Sequence, residues 1–397
     1  MKNYLRPISR FLILMGGVCL FSACGEKDAA SESDRAASSR SDGPETITIL
    51  TWEEYFAPEV IAAFEEESGI GVAFDYYQNL GEMNGKILSN PGRYDVIVID
   101  DVTLAEMIEV KQLREIERER LPGLANFSSR YLDQEFDPGN RFSVPYLWGT
   151  SMIAYRSDLI AEPEESWNLL WKDEYAGHVA LMDEKDDVFA AALLTLGQKI
   201  DTRSGEEIEE AVRFLESKVR GNRIELHSLE DIKDRLIAGQ CWAALIYSGD
   251  AAVIAEEDDR IAYFIPREGA PIWMDSFAIP RESGHVEGAH AFIDFISRPE
   301  IAARNANFLW YATPNEKALP MLNEELLADA AIFPLSEVLD RCAFHPRPSE
   351  ERIEVTNQGM KRVLDAASGV PVALGGNTDA VRVSNLIETG EVVGDAR

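Results

Sequence analysis

The stretch TITILTWEEYFAPEVIAAFEEESGIGVAFDYY, Thr46 to Tyr77, decides the fold. Thr46–Leu50 alternates and is β-branched, which is a strand signal. A loop, TWEEYF, follows. Pro58 then marks a helix start, Val60, Ile61 and Phe64 share one face, and Gly69 is the stop. GVAFDYY reads as a second strand, GEMNGKILSN as a short helix, and YDVIVID, Tyr94 to Asp100, as an apolar run bounded by charge. Such a run suits a strand buried on both faces. LAEMIEV, Leu104 to Val110, is helical again. The β-α-β-α-β rhythm predicts an α/β fold with a parallel sheet covered by helices. Ligands of such sheets sit beyond the carboxyl ends of the strands, where Trp52, Glu53, Tyr55, Asp100 and Asp101 fall.

The pattern restarts after FSVPYLWGTSMIAYR, Phe142 to Arg156. HVALMD is a strand. VFAAALLTLGQ and GEEIEEAVRFLESKV are helices, the second with Ile208, Val212, Leu215 and Val219 at helical spacing. CWAALIYSGD is an apolar strand ending in polar residues, and IAYFIP and DSFAIP are further strands. Val286–Phe308 is helical with a break at Arg298–Pro299. Two α/β lobes are therefore expected, with a tail from 368 to 397 that has no clear periodicity.

The chain has 397 residues, enough for two ordinary domains, and is 46% hydrophobic and 27% charged. Its formal net charge of −32 argues against nucleic acid and anionic ligands and is a weak pointer to a cationic one. Most acidic runs, such as EEDDR from Glu256, are ordinary solvated faces. Lys2, Arg6 and Arg10 precede an apolar run, Phe11 to Phe21, about half of the ~20 residues a membrane-spanning helix needs. This is the pattern of a secretory leader, 1–23. The leader ends in FSAC, so Cys24 is the expected lipidation site, followed by a Ser-, Ala- and Asp-rich tether, 24–43. The expected place is the periplasm or cell envelope, anchored to the membrane by that lipid. Cys241 and Cys342 have no metal or CxxC spacing and read as two buried free thiols.

HExxH, GxxxxGK[ST], GxSxG and GxGxxG are absent, and the five histidines show no metal spacing. No metal or cofactor is expected. What stands out is aromatic residues beside acids at strand ends: Trp52 with Glu53, Tyr247 with Asp250, Trp273 with Asp275, and Tyr311 nearby in the sequence YATPN. Taken singly, a Trp is usually core and an Asp at a strand end usually a cap. Repetition changes the weighing. Carboxylates hold ammonium groups by charge-assisted hydrogen bonds, and aromatic faces cover methylenes and add cation–π attraction of about 0.5–2 kcal/mol per contact. In the strand WMDSFAIP, Trp273 and Asp275 point to one face.

With these residues, and with TWEEYFAPEVIAAFEEESGI, YDVIVID, SVPYLWGT, SWNLLWKDEYAGHVALMDE and YATPN, the chain resembles the spermidine/putrescine-binding proteins of bacterial polyamine ABC importers over about Ile47 to Lys361. The resemblance implies a two-lobed, type II-like periplasmic-binding-protein fold with ligand in the interdomain cleft. It implies lobe one at 44–150 with 273–319 and lobe two at 151–272 with 320–367. It also implies a permease with a cytoplasmic ATPase as partner. Trp52 and Tyr55 match the family's W-x-x-Y loop, Glu184 and Asp187 its paired acids, Trp273 and Asp275 its aromatic wall and amine-binding aspartate, and Tyr311 its later aromatic. Tyr247 stands where the family usually has Trp. Departures are Asp100, where Ser is frequent, Glu53, where Ser or Thr is common, and His345, in the place of a glutamine of the spermidine branch. Asp250 in YSGD resembles the putrescine branch. Spermidine and putrescine both stay candidates. The alternatives are a receptor for another cation, an amino acid or iron, and a secreted hydrolase using Glu184 with Asp187 or Asp275.

Overall fold

The computed structural model describes residues 45–368, apart from 79, 221, 222 and 348. The leader, Cys24, the tether and the segment 369–397 lie outside the described residues.

Strands β1 (Thr46–Thr51), β2 (Gly71–Tyr76) and β3 (Val96–Ile99) alternate with helices α1 (Pro58–Ser68), α2 (Leu80–Ser89) and α3 (Asp101–Glu109). β1 lies between β2 and β3 and is parallel to both. Helix α1 starts at Pro58 and ends on Gly69, whose φ of 72° is left-handed. β3 is apolar throughout, and β1 adds Ile47, Ile49 and Leu50, because both faces of the sheet are covered. Ile47, Ile49, Val96 and Val98 pack with Val60, Phe64 and Phe292, whereas Leu50, Ile97 and Ile99 pack with Leu104 and Met274 on the opposite face.

A 14-residue strand, β4 (Ser143–Arg156), leads out of this sheet into a second one. Ser143–Thr150 pairs with β9 (Pro271–Ala278), and Ser151–Tyr155 pairs with β7 (Ala243–Tyr247). The second sheet adds β5 (Val179–Met182) and β6 (Ile224–His227), with β8 (Ile261–Phe264) on the other side of β4. The path β2-β1-β3-β9-β4-β7-β5-β6 is therefore mixed rather than all parallel. β4 carries the chain away and β9 brings it back, so these neighbours run antiparallel, and β9 is antiparallel to β3 as well. The short β10 (Ala343–Phe344) pairs with the start of β9.

Around the second sheet lie α4 (Lys185–Thr195), α5 (Gly205–Val219), α6 (Leu229–Ile237) and α7 (Ser248–Glu257). Helices α8 (Val286–Ile296) and α9 (Pro299–Leu309) return to the first sheet, divided at Arg298–Pro299. After the short α10 (Glu324–Ala328) and α11 (Ser336–Leu339), α12 (Glu350–Ala367) packs Met360 and Val363 into the second core. Leu322, Leu326, Ile332 and Leu339 instead belong to the cluster of Leu50 and Ile97, so the stretch before β10 packs on the first sheet. Two lobes, each with its own core, are joined through β4, β9 and the segment around β10. Cys241 and Cys342 are free; Cys241 is buried, while Cys342 is only partly so. Burial pushes the Cys241 thiol up to about 12.

Candidate functional site

The parallel strands β3, β5 and β7 each run directly into a helix, α3, α4 and α7. Their carboxyl ends bring three helix N-termini to one place, and each carries acid: Asp100 and Asp101, Asp186 and Asp187, and Asp250. Free N–H groups and the helix dipole favour negative charge there. Asp100 caps α3, its Oδ1 accepting from the N–H groups of Val102 and Thr103 at 3.0 Å. The flanking strand β9 contributes Trp273 and Asp275 on the face opposite Ile272 and Met274.

Aromatic rings hold these acids. Tyr55 donates its hydroxyl to Asp275, and Tyr311 donates to Asp250. Asp187 accepts from Ser151 and, at 3.4 Å, from Tyr247. Trp273 stands between Tyr247 and Tyr311, edge-to-face with both at 5.5 and 5.1 Å. Trp52 lies 4.3 Å from Tyr77, and the Tyr77 hydroxyl feels the charges of Asp275 and Asp100. Two glycines make room for this wall. A Cβ on Gly149 would come within 2.4 Å of Trp273, and one on Gly249 within 2.3 Å of Tyr311.

Electrostatics set the site apart. Burial pushes the Asp275 carboxyl up to about 7, against the hydrogen bond from Tyr55 and with help from the charge on Asp100. Burial, then Asp187 and Asp100, push Glu184 up to about 8. Asp101 is pushed up to about 8 by burial, although His345 works the other way. Burial also raises Asp100 and Asp250. Two protein cations meet these acids. Lys233 of α6 is 3.3 Å from Asp250, and His345 Nε2 is 3.6 Å from Asp187. Among the described residues, Asp100 Oδ2, Asp101 Oδ2, Trp273 Nε1 and His345 Nδ1 are buried without a hydrogen-bond partner. Carboxylates outnumber the cations that face them, so the arrangement favours a cationic guest with apolar spacers.

Trp52, Tyr55, Asp100, Glu184, Asp187, Tyr247, Asp250, Trp273, Asp275, Tyr311 and His345 all fall in or against this cluster. Glu53 differs: it is exposed, and its charge acts on Tyr76 at the rim. Sequence reasoning passed over Lys233 and Ser151, and also Tyr146, whose hydroxyl donates to the Tyr55 carbonyl at 2.8 Å. Their contacts join residues 17, 36 and 91 positions apart, beyond any local pattern. Asp101 has a local signal, as the second acid at the end of YDVIVIDD.

The family described as bacterial extracellular solute-binding protein matches residues 59–334. The chain is 31% identical over 306 residues to the spermidine/putrescine-binding periplasmic protein of Escherichia coli, covering 76% of this chain and 87% of that protein. It is 31% identical over 335 residues to the putrescine-binding periplasmic protein SpuD of Pseudomonas aeruginosa, covering 79% and 91%. Among solved structures, a putative spermidine/putrescine ABC transporter protein of Listeria monocytogenes superposes with a TM-score of 0.73 at 29% identity, over 81% of this chain and 99% of the other. A family of binding components leaves no place for the hydrolase alternative. The matched residues, the identities and the shared two-lobed architecture together make this chain a member of the bacterial extracellular solute-binding protein family.

Proposed function

We propose that the chain captures a linear polyamine, spermidine or putrescine, and delivers it to an ABC permease driven by a cytoplasmic ATPase. One observation carries this reading. The tyrosines around Trp273 each hold a carboxylate, while Asp275 and Glu184 have pKa values raised to about 7 and 8. Such carboxyls lack the positive charge that would keep them ionised, and a polyamine supplies it with methylenes between. The names of the relatives support the same ligand class.

Capture closes two lobes on the ligand, because each contributes part of the site. Lobe one would supply Trp52, Tyr55, Asp100, Trp273, Asp275 and Tyr311; lobe two would supply Glu184, Asp187, Tyr247 and Asp250. In the proposed division, lobe one is 44–150 with 273–319 and lobe two is 151–272 with 320–367. The packing of Leu326 and Ile332 favours placing 320–339 with lobe one as well. Lipidated Cys24 would tether the chain to the cell envelope, with 24–43 as the leash.

Isothermal titration of the chain with spermidine and putrescine tests the reading. Saturable one-to-one binding of either is expected. No heat and no thermal shift with both would remove the polyamine assignment.

A further inference from the structure

The carboxylates of the cleft are not equivalent, because the protein neutralises some of them itself. Asp250 has Lys233 at 3.3 Å. Asp100 spends one oxygen on the N-terminus of α3. Asp275 has only the Tyr55 hydroxyl, and the Glu184 carboxylate has no hydrogen-bond or ion-pair partner among the described residues. Asp187 has His345.

His345 is placed by the backbone rather than by chance. Phe344 of β10 pairs with Ile272 of β9, so the next residue lies alongside Trp273. Its side chain is 6% exposed, with Nε2 3.6 Å from Asp187 Oδ1. Asp186 and Asp101 also act on it, and Asp101 keeps one buried oxygen without a partner. Glu106, Lys185 and Arg352 line the small pocket next to it. The Arg352 guanidinium is committed to the carbonyls of Ile200 and Thr202. Burial works against a charge on His345, but Asp187, Asp186 and Asp101 outweigh it and raise its pKa to about 9.

We infer that His345 is a resident cation of the cleft: its imidazolium occupies the Asp187 end of the site, leaving Asp275 and Glu184 for the ligand, so the site selects a diamine over a triamine. A third ammonium would have to enter beside a charge already in place, at a buried position where like charges repel. The inference rests on the polyamine reading and narrows it.

The test is titration calorimetry of the full chain with putrescine and with spermidine, in the wild type, His345→Gln and His345→Lys. Wild type should bind putrescine about tenfold or more tightly than spermidine, a difference of about 1.4 kcal/mol. His345→Gln removes the charge and should move the ratio about tenfold or more towards spermidine; His345→Lys keeps the charge and should keep the putrescine preference. A wild type that binds spermidine as tightly as putrescine, or a ratio unmoved in His345→Gln, overturns the inference. A measurement on the unmutated chain covers a variant that fails to fold. With putrescine bound, the His345 ring nitrogens should keep imidazolium chemical shifts at neutral pH, and neutral-imidazole shifts would overturn the proposal. If neither polyamine binds the wild type, the function itself fails. If both bind and only the selectivity is absent, this inference alone fails.

Discussion

Polyamine affinity should rise steeply with pH, and binding should release protons. In the free protein Asp275 and Glu184 have pKa values of about 7 and about 8. An ammonium group needs the ionised carboxylate, whereas the ligand amines, like lysine with a pKa of about 10.4, stay charged throughout. At about pH 6, ionising a carboxyl of pKa about 8 costs about 100-fold in affinity and one of about 7 costs about tenfold. At about pH 8 the two costs together are only about twofold. The carboxyls share charge with Asp100 and Asp187, so they titrate as a coupled set rather than independently. Even Asp275 alone gives a rise of about tenfold between pH 6 and pH 8. At neutral pH roughly one proton should leave per ligand bound. Calorimetry in two buffers of different ionisation enthalpy measures that number directly. An affinity constant across this range, with heats independent of buffer, would mean that these carboxyls do not meet the ammonium groups.

Stability should follow the same carboxyls in the opposite sense. A folded-state pKa above the unfolded value favours folding fully below the unfolded pKa, about 4 for an acid, and that contribution is lost as pH rises through about 7 to 8. The thermal shift caused by polyamine should therefore be larger at pH 8 than at pH 6; equal shifts would contradict this. Asp275→Asn should weaken binding by about 2–5 kcal/mol without lowering the melting temperature of the free protein, as a buried carboxyl is removed and a neutral isostere left. Unchanged affinity would refute its role. Tyr55→Phe removes the hydrogen bond that lowers the Asp275 pKa, so the midpoint of the pH–affinity curve should move to higher pH, and an unmoved midpoint counts against the pairing. Gly249→Ala sets a Cβ against the Tyr311 ring and should reduce affinity about tenfold, read by calorimetry; wild-type affinity would show that the ring position is immaterial.

Local pattern was enough for the first sheet, since Ile47 and Ile49 alternate with threonines and Val96 to Ile99 form an unbroken apolar run between charges. The same holds for Trp273 and Asp275, two residues apart on one strand, and for Tyr247 with Asp250 at a strand-to-helix junction. The mixed direction of the sheet was not legible, because antiparallel pairing of β9 follows from the chain crossing twice between lobes rather than from the residues of β9. Lys233 looks like an ordinary exposed-face lysine of an amphipathic helix, and only tertiary packing brings it to Asp250. Glu53 shows the reverse. It sits in the right loop beside Trp52, but the loop turns it outward. Three helix N-termini that converge explain why Asp100, Asp187 and Asp250, distant in sequence, lie in one acidic cluster.

The most direct measurement is a crystal structure of the chain grown with putrescine. The ligand should lie against Trp273, with one ammonium nitrogen within hydrogen-bond distance of Asp275 and the other within that distance of Glu184. A polyamine bound elsewhere, or a cleft in which Asp275 meets nothing but Tyr55 at saturating ligand, would contradict the proposed capture of polyamines by this site.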